Sequence, residues 1–380
     1  MNIPKLRFKE FTDEWVYYKY KDIFNLNQGL QIPITERFLD YAPNRFFYIT
    51  NEFLKPSSKK SYYIENPSPN VICTKEDILM TRTGNTGKVI TNIAGVFHNN
   101  FFRIKYNPKN FNKDFICCIL NQNKIQNKIL TLAGSSTIPD LNHKDFYSIK
   151  SRFPKLKEQE KIAKFINTVD KKIENIENTI SSLENQKKGL LQQIFSQKLR
   201  FKDENGNNYP NWEKKKIGLI CSISTGKSNT QDKIDNGKYP FYVRSATIER
   251  SSKYLYDEEA TLTVGDGVGT GKVFHYVNGK YDLHQRCYRM FNFKNTHAKY
   301  FYYFFSSHFY NRVKRMSAKN SVDSVRMNMI SDMIIDLPCL EEQTKIADFL
   351  SAFDRKLENQ KAQLEHWQQI KKGLLQQMFV

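Results

Sequence analysis

The sequence predicts an α+β protein built by internal duplication: two mixed α/β modules separated by two long helices that pair as an antiparallel coiled coil, with a cyclic, pseudo-twofold relation between the halves. Three observations carry this. Residues 154–195 return without a gap 184 positions later as 338–379, with 20 of 42 aligned positions identical, and a fixed period of that length marks a duplicated domain-plus-helix unit. The repeated segments place apolar residues at alternating steps of four and three, a heptad seam. The remaining segments are rich in Phe, Tyr, Ile and Asn in short runs broken by Gly, Pro and Asn, the pattern of modest strands joined by turns. The expected boundaries are a module over 1–153, a helical spacer over 154–198, a second module over 199–337 and a second spacer over 338–380.

In the first module the runs 45–51 and 77–81 read as strands and 113–130 as a helix. The first spacer carries its seam on Ile162, Ile166, Val169, Ile173, Ile176, Ile180, Leu183, Leu190 and Ile194, with Lys187 completing the series. In the second module 239–244 reads as a strand and the aromatic run 298–316 as a helix. The second seam holds Ile346, Leu350, Phe353, Leu357, Gln360, Leu364, Trp367, Lys371, Leu374 and Met378. Lys187 and Lys371 at apolar positions fit a device that specifies register or fraying near a helix end, or else a point where a partner docks. The modules repeat weakly: Leu6-Arg7-Phe8-Lys9 and Trp15 return as Leu199-Arg200-Phe201-Lys202 and Trp212, and Gly87-Lys88-Val89 as Gly271-Lys272-Val273. Phe195 runs on into the second Leu-Arg-Phe-Lys segment, whereas the sequel of Phe379 sits at the N-terminus, so joining head to tail would give two equivalent units.

Charge points to a polyanion. The chain of 380 residues carries a net +20, of which +9 falls on 1–153 and +8 on 199–337, against +3 and zero on the spacers. Excess lysine and arginine concentrated on the variable modules would bind nucleic acid by counterion release and speed its capture; general solubility is the plainer alternative. Were the modules to read DNA, its local dyads would set the two helices antiparallel. The 33 residues from Ile162 to Ile194 would span about 50 Å, roughly 14 base pairs. Six cysteines show no C-x-x-C pair or zinc spacing and read as reduced thiols. No apolar leader or spanning segment is present in the sequence, so the expectation is a cytoplasmic protein without a membrane partner.

Candidate contacts follow from residue type. Arg82, Arg103, Arg244, Arg286, Arg289 and Arg326 could fork onto guanine, and Asn85, Asn99, Gln285 and Asn320 onto adenine. The Gly-rich turns 83–88 and 265–272 could bring backbone N–H groups, with Thr86, Lys88 and Lys272, to phosphate; a purely structural turn is the alternative. Neither turn has the spacing of a P-loop or a G-x-G-x-x-G loop. His98-Asn99-Asn100 and His284-Gln285-Arg286 occupy parallel places, with no nucleophile or acid to make either histidine catalytic. No H-E-x-x-H, G-x-S-x-G, nuclease or methyltransferase motif stands out, so catalytic and metal-binding residues are none.

Two modules, each followed by P-x-L-x-E-Q-x-K-I-A-x-F (154–165 and 338–349) and K-K-G-L-L-Q-Q (187–193 and 371–377), resemble the specificity subunits of type I restriction-modification systems over the whole chain. The resemblance implies that each module is a target recognition domain reading one half of a bipartite, asymmetric double-stranded DNA site, while the antiparallel helices set the gap. It also implies two methyltransferase (M) subunits held on this chain, and restriction/translocase (R) subunits beyond them. The chain would not be an enzyme by itself: S-adenosylmethionine, ATP and Mg would sit on the partners, and a flipped adenine would enter their pocket. The chain stops at Val380, directly after the helix motif, where many relatives continue. A self-contained DNA nuclease or modification enzyme, or a coiled-coil interaction protein whose charge serves solubility, are the rival readings.

Overall fold

In the computed structural model residues 3–55, 60–134, 137–267, 269–316 and 324–379 are described. The chain divides into two compact units, residues 1–177 with 363–380, and residues 178–362, so the divisions fall inside the spacer helices.

The first unit begins with β1 (Val16–Lys19), α1 (Tyr20–Ile23) and β2 (Phe24–Gln28), followed by β3 (Arg45–Ile49), β4 (Tyr63–Glu65), β5 (Ile72–Cys73), β6 (Ile78–Thr81), β7 (Val89–Ile90), β8 (Gly95–Phe97) and β9 (Phe101–Tyr106). The helices α2 (Lys113–Leu120), α3 (Asn123–Ala133) and α4 (His143–Ser148) lead to β10 (Lys150–Phe153) and into the spacer helix α5 (Leu156–Phe195). One four-stranded sheet has the order β2-β9-β6-β7 and another β4-β3-β8-β5, while β10 returns to pair antiparallel with β1. The helix expected over 113–130 is interrupted at 121–122, where Asn121 turns its amide back onto the Cys117 carbonyl. Tyr20, Phe24, Phe102, Phe115, Phe146 and Phe153 form the centre of the core, joined by Ile162 and Ile166 of α5.

The second unit repeats this plan with β11 (Glu213–Lys216), α6 (Ile217–Ile220), β12 (Ser222–Thr225), β13 (Tyr239–Tyr242), β14 (Ile248–Ser251), β15 (Tyr256–Val264), β16 (Phe274–Leu283), β17 (Cys287–Phe291), α7 (Ala298–Met316), α8 (Met327–Ser331), β18 (Ile334–Leu337) and the spacer helix α9 (Leu340–Gln377). Here a single six-stranded sheet runs β12-β17-β15-β16-β13-β14. The parallel pair β13·β16 (Phe241 opposite Asp282) matches β3·β8 (Tyr48 opposite Val96). Strand β16 thus does the work of both β7 and β8. In the first unit the backbone between β7 and β8 breaks at Asn92, whose φ of 58° cannot continue a ladder. Tyr300, Phe301, Phe304, Phe305 and Phe309 of α7 pack on Ile194, Ile346 and Leu350 of the spacer helices.

Each spacer helix is anchored to its module by the same clamp. Glu158, 2% exposed, takes the Arg7 guanidinium at 2.8 and 2.7 Å and the Trp15 indole N–H at 3.3 Å. Fully buried Glu342 takes Arg200 at 3.1 and 2.7 Å and Trp212 at 2.9 Å. The neighbouring Gln159 accepts the Asn112 N–H and donates to the Asn110 and Pro154 carbonyls, as Gln343 accepts from His297 and donates to Asn295 and Pro338. These glutamates and glutamines are the E-Q of the repeated motif, which is why the helices start six residues before the seam does.

Within each unit the helix segments run antiparallel. In the second, Lys187 pairs with Asp354 and Lys361 with Glu184; in the first, Lys371 pairs with Asp170 at 2.6 Å. Both seam lysines therefore meet an aspartate at the equivalent repeat position, the arrangement expected of a register device. On the seam, Ile162, Ile166, Val169, Ile176, Ile180, Leu183, Ile194, Ile346, Leu350, Leu357 and Met378 are buried, and Ile173, Leu190, Phe353, Leu364, Trp367 and Leu374 half-buried. In the first unit the N-terminal segment caps the end of α9, with the Leu6 N–H on the Gln377 carbonyl at 2.9 Å and Trp15 edge-on to Phe379; in the second, Leu199 bonds Gln193 at 3.1 Å in the same way. That is the cyclic equivalence the sequence implied.

Candidate nucleic-acid interface

At the tip of each module three segments meet: a turn between two consecutive strands that do not pair with each other, the Gly-rich loop, and the chain leaving β2 or β12. In the first unit these are 98–100 between β8 and β9, 82–88 between β6 and β7, and 29–32. In the second they are 284–286 between β16 and β17, 265–267 with 269–272 between β15 and β16, and 226–229.

Most backbone bonds of the two tips correspond. The His98 N–H donates to Ile49 at 3.0 Å and the His284 N–H to Tyr242 at 3.0 Å. Each histidine Nδ1 accepts the N–H two residues on, from Asn100 and from Arg286, both at 3.1 Å. The loops lean on the same turn, with Arg82 N–H to Asn100 at 2.7 Å and Gly265 N–H to Arg286 at 2.9 Å. Gly29 and Gly226 make room: a Cβ there would lie 2.2 Å from the Phe97 and Leu283 carbonyl oxygens respectively, so only glycine admits this approach. Burial lowers the pKa of both histidines, helped by Arg37 for His98 and by Arg244 and Arg286 for His284. The rings stay neutral, and Nδ1 stays an acceptor.

Different side chains stand on this shared frame. Asn99 donates to the Gln31 carboxamide at 3.3 Å, and Gln285 to that of Asn229. Arg82 forks onto Asp140 at 3.1 and 2.6 Å; although burial works to raise the Asp140 pKa, hydrogen bonds from Thr83 and Arg82 hold it below the usual range. In the second tip Asp266 is shared by Arg286 and Arg244, and the Arg286 hydrogen bond keeps its pKa low. Arg286 is 57% exposed and Arg244 43%. Lys88, Asn85 and Lys272 are exposed on the loops, Asn85 with a φ of 46° and Lys272 over the Tyr310 ring. Arg326 is exposed just before α8.

Three expected contacts point inward. Arg103, 7% exposed, donates to the Ile72 and Asn70 carbonyls and buttresses the sheets. Arg289 is packed over the Tyr256 and Phe291 rings with Glu258 at 2.5 Å. The Thr86 hydroxyl is buried and donates to the Arg82 and Pro139 carbonyls. All three serve the fold, because a period-2 strand or a tight turn sends alternate side chains inward. Asn320 lies outside the described residues. The sequence reading did not single out Gly29, Gly226, Asp140 and Asp266; only the parallel placement of the two histidine tripeptides hinted at the common frame.

Among the described residues no helix is long and apolar enough to cross a membrane. The chain is 24% identical to the type I restriction enzyme MjaVIII specificity subunit of Methanocaldococcus jannaschii, over 98% of this chain and 94% of that one. It is 26% identical to the EcoDI specificity subunit of Escherichia coli over 43% of this chain and 36% of the relative. The fold matches the crystal structure of a type I restriction-modification S subunit from M. genitalium with a TM-score of 0.71, at 16% identity, over 100% of this chain and 99% of that one. The family model described as type I restriction modification DNA specificity domain matches twice, over residues 12–185 and 209–366. With two copies of that domain covering most of its length, the chain belongs to the family of type I restriction-modification specificity subunits.

Proposed function

We propose that this chain is the non-catalytic, sequence-specific DNA-binding subunit of a cytoplasmic type I restriction-modification complex, each module reading one half of a bipartite, asymmetric site. One observation carries the reading: both tips hold the same histidine turn by corresponding backbone bonds, yet present different polar side chains, as two heads reading different bases require. The positive charge on the modules supplies the non-specific, salt-dependent share of affinity. The paired helices set the gap between half-sites and, with the modules, hold two M subunits, through which R subunits join. S-adenosylmethionine, ATP and Mg belong to those partners, and the methylated adenine is flipped into an M subunit.

The test is co-expression with the neighbouring methyltransferase subunit in a methylation-free host, with N6-methyladenine mapped across the genome. A split motif that appears only when both chains are present is expected; methylation that is absent, or that persists without this chain, would refute the specificity role. The spacing clause has its own check. One heptad added to each spacer helix lengthens it by roughly 10 Å, about three base pairs, and should widen the gap while leaving both half-sites as they were.

A further inference from the structure

The tip turns differ between the modules in a way that residue chemistry can decode. Their first residue is histidine in both, held on one side by the neighbouring strand and on the other by its own Nδ1 bond to the backbone. The second is a carboxamide in both, Asn99 and Gln285, and each donates to another carboxamide from the segment after the first long strand, Gln31 and Asn229. That contact occupies the N–H side of the group. The Asn99 Oδ1 is shielded from solvent and has no partner among the described residues, so the carboxamide must turn outward before it can accept from a base. The third residue diverges in charge, Asn100 against Arg286.

Preorganisation is visible in the second tip. The Gln285 N–H donates to the Ser228 carbonyl at 2.8 Å, and the Ser228 hydroxyl donates to fully buried Asp282 at 2.7 Å. Asp282 also accepts from Ser251 and from the Leu283 N–H, so the turn rests on a satisfied polar network. Arg286 is held in reach of solvent by Asp266, which keeps Arg244 as a second partner. An aligned guanidinium loses less freedom on meeting a base than a loose one does.

Resting on the specificity reading above, we propose that the tip turn is a base-reading element of each module: Gln285 reads adenine and Arg286 guanine in one half-site, and Asn99 reads adenine in the other. Asn and Gln pair with the N6/N7 edge of adenine, and Arg with the O6/N7 edge of guanine. His98 and His284 are positioning residues that touch no base. The exposed lysines Lys88 and Lys272 of the Gly-rich loops would meet phosphate and fix register.

The experiment uses the full chain in complex with its methyltransferase subunit. Arg286→Ala, Arg286→Lys, Gln285→Ala, Gln285→Asn and Asn99→Ala would each be expressed in the methylation-free host, checked for folding by circular dichroism, and their methylomes compared with that of the unaltered complex. Arg286→Ala should relax one G·C position of one half-site, discrimination there falling about tenfold to a hundredfold, with the other half unchanged. Arg286→Lys, which keeps the charge and the Asp266 contact but loses the fork, should relax the same position. Gln285→Ala and the milder Gln285→Asn should relax an A·T position in that half, and Asn99→Ala one in the other half. A motif unaltered at every position in all five variants, or uniform weakening over all sequences, would overturn the inference while leaving the subunit's role intact. An unaltered complex that methylates without any split motif would overturn both.

Discussion

The clamp and the tip of each unit treat side chains in opposite ways. At the clamps the two units agree in every side chain, an arginine and a tryptophan from the start of the module converging on a buried glutamate of the helix. At the tips they agree in backbone hydrogen bonds and in one histidine, and the outward residues differ. Where a module must fit a repeated helix the side chains are themselves the fit, and repeating them repeats the joint. A reading surface needs a fixed frame and free choice of what stands on it. The sheets show the same freedom, since one continuous ten-residue strand in the second unit is divided between two strands and a break at Asn92 in the first.

Breaking a clamp should have the largest effect. Glu342→Ala or Glu158→Ala removes the carboxylate that satisfies both an arginine and an indole, and leaves a largely buried cation without its partner, a loss of about 3–5 kcal/mol. Urea unfolding of the intact chain should show it, and a loss below about 1 kcal/mol would mean that the joint is not held by this ion pair.

The tip frame should be less costly to disturb and more selective in outcome. Gly226→Ala forces a methyl group against the Leu283 and His284 carbonyls and should cost about 1–3 kcal/mol, with its effect on recognition confined to one half-site; Gly29→Ala should do the same in the other. Equal damage to both half-sites from either substitution would contradict the independence of the tips.

Protonation is the gentlest probe. Burial places the folded-state pKa of His98 and His284 below the ordinary 6.5, so the unfolded chain takes up protons first. Stability tied to these rings is complete above about pH 6.5 and is lost as pH falls below it toward the folded pKa. A stability profile from pH 8 to 5 should therefore decline on the acid side, and His98→Gln with His284→Gln should flatten that decline. A profile unaffected by the two substitutions would show that the rings are not held neutral.

Duplication and the two helix seams were legible because they are periodic: a heptad survives in any fold, and a residue repeated at 184 positions' distance announces a repeated environment, though not that Glu158 and Glu342 would be its buried clamps. The helix at 298–316 was read at its full extent for the same reason, its aromatic run needing a core. The 113–130 helix was read as one where two stand, α2 and α3, since the turn at Asn121 depends on a side-chain bond that no pattern displays.

What the sequence determined by itself is the plan of the molecule: two modules, two spacer helices, the joints between them, and a positive charge kept on the modules. Only the tertiary structure decided which arginines face outward. Arg103 and Arg286 are alike as residue types, yet one is spent on carbonyls of a segment 31 residues away and the other stands in the turn between β16 and β17 beside Asp266. The direction of a side chain on a short strand follows from register, which a single-residue slip reverses, and register here is set by hydrogen bonds between segments far apart in the chain.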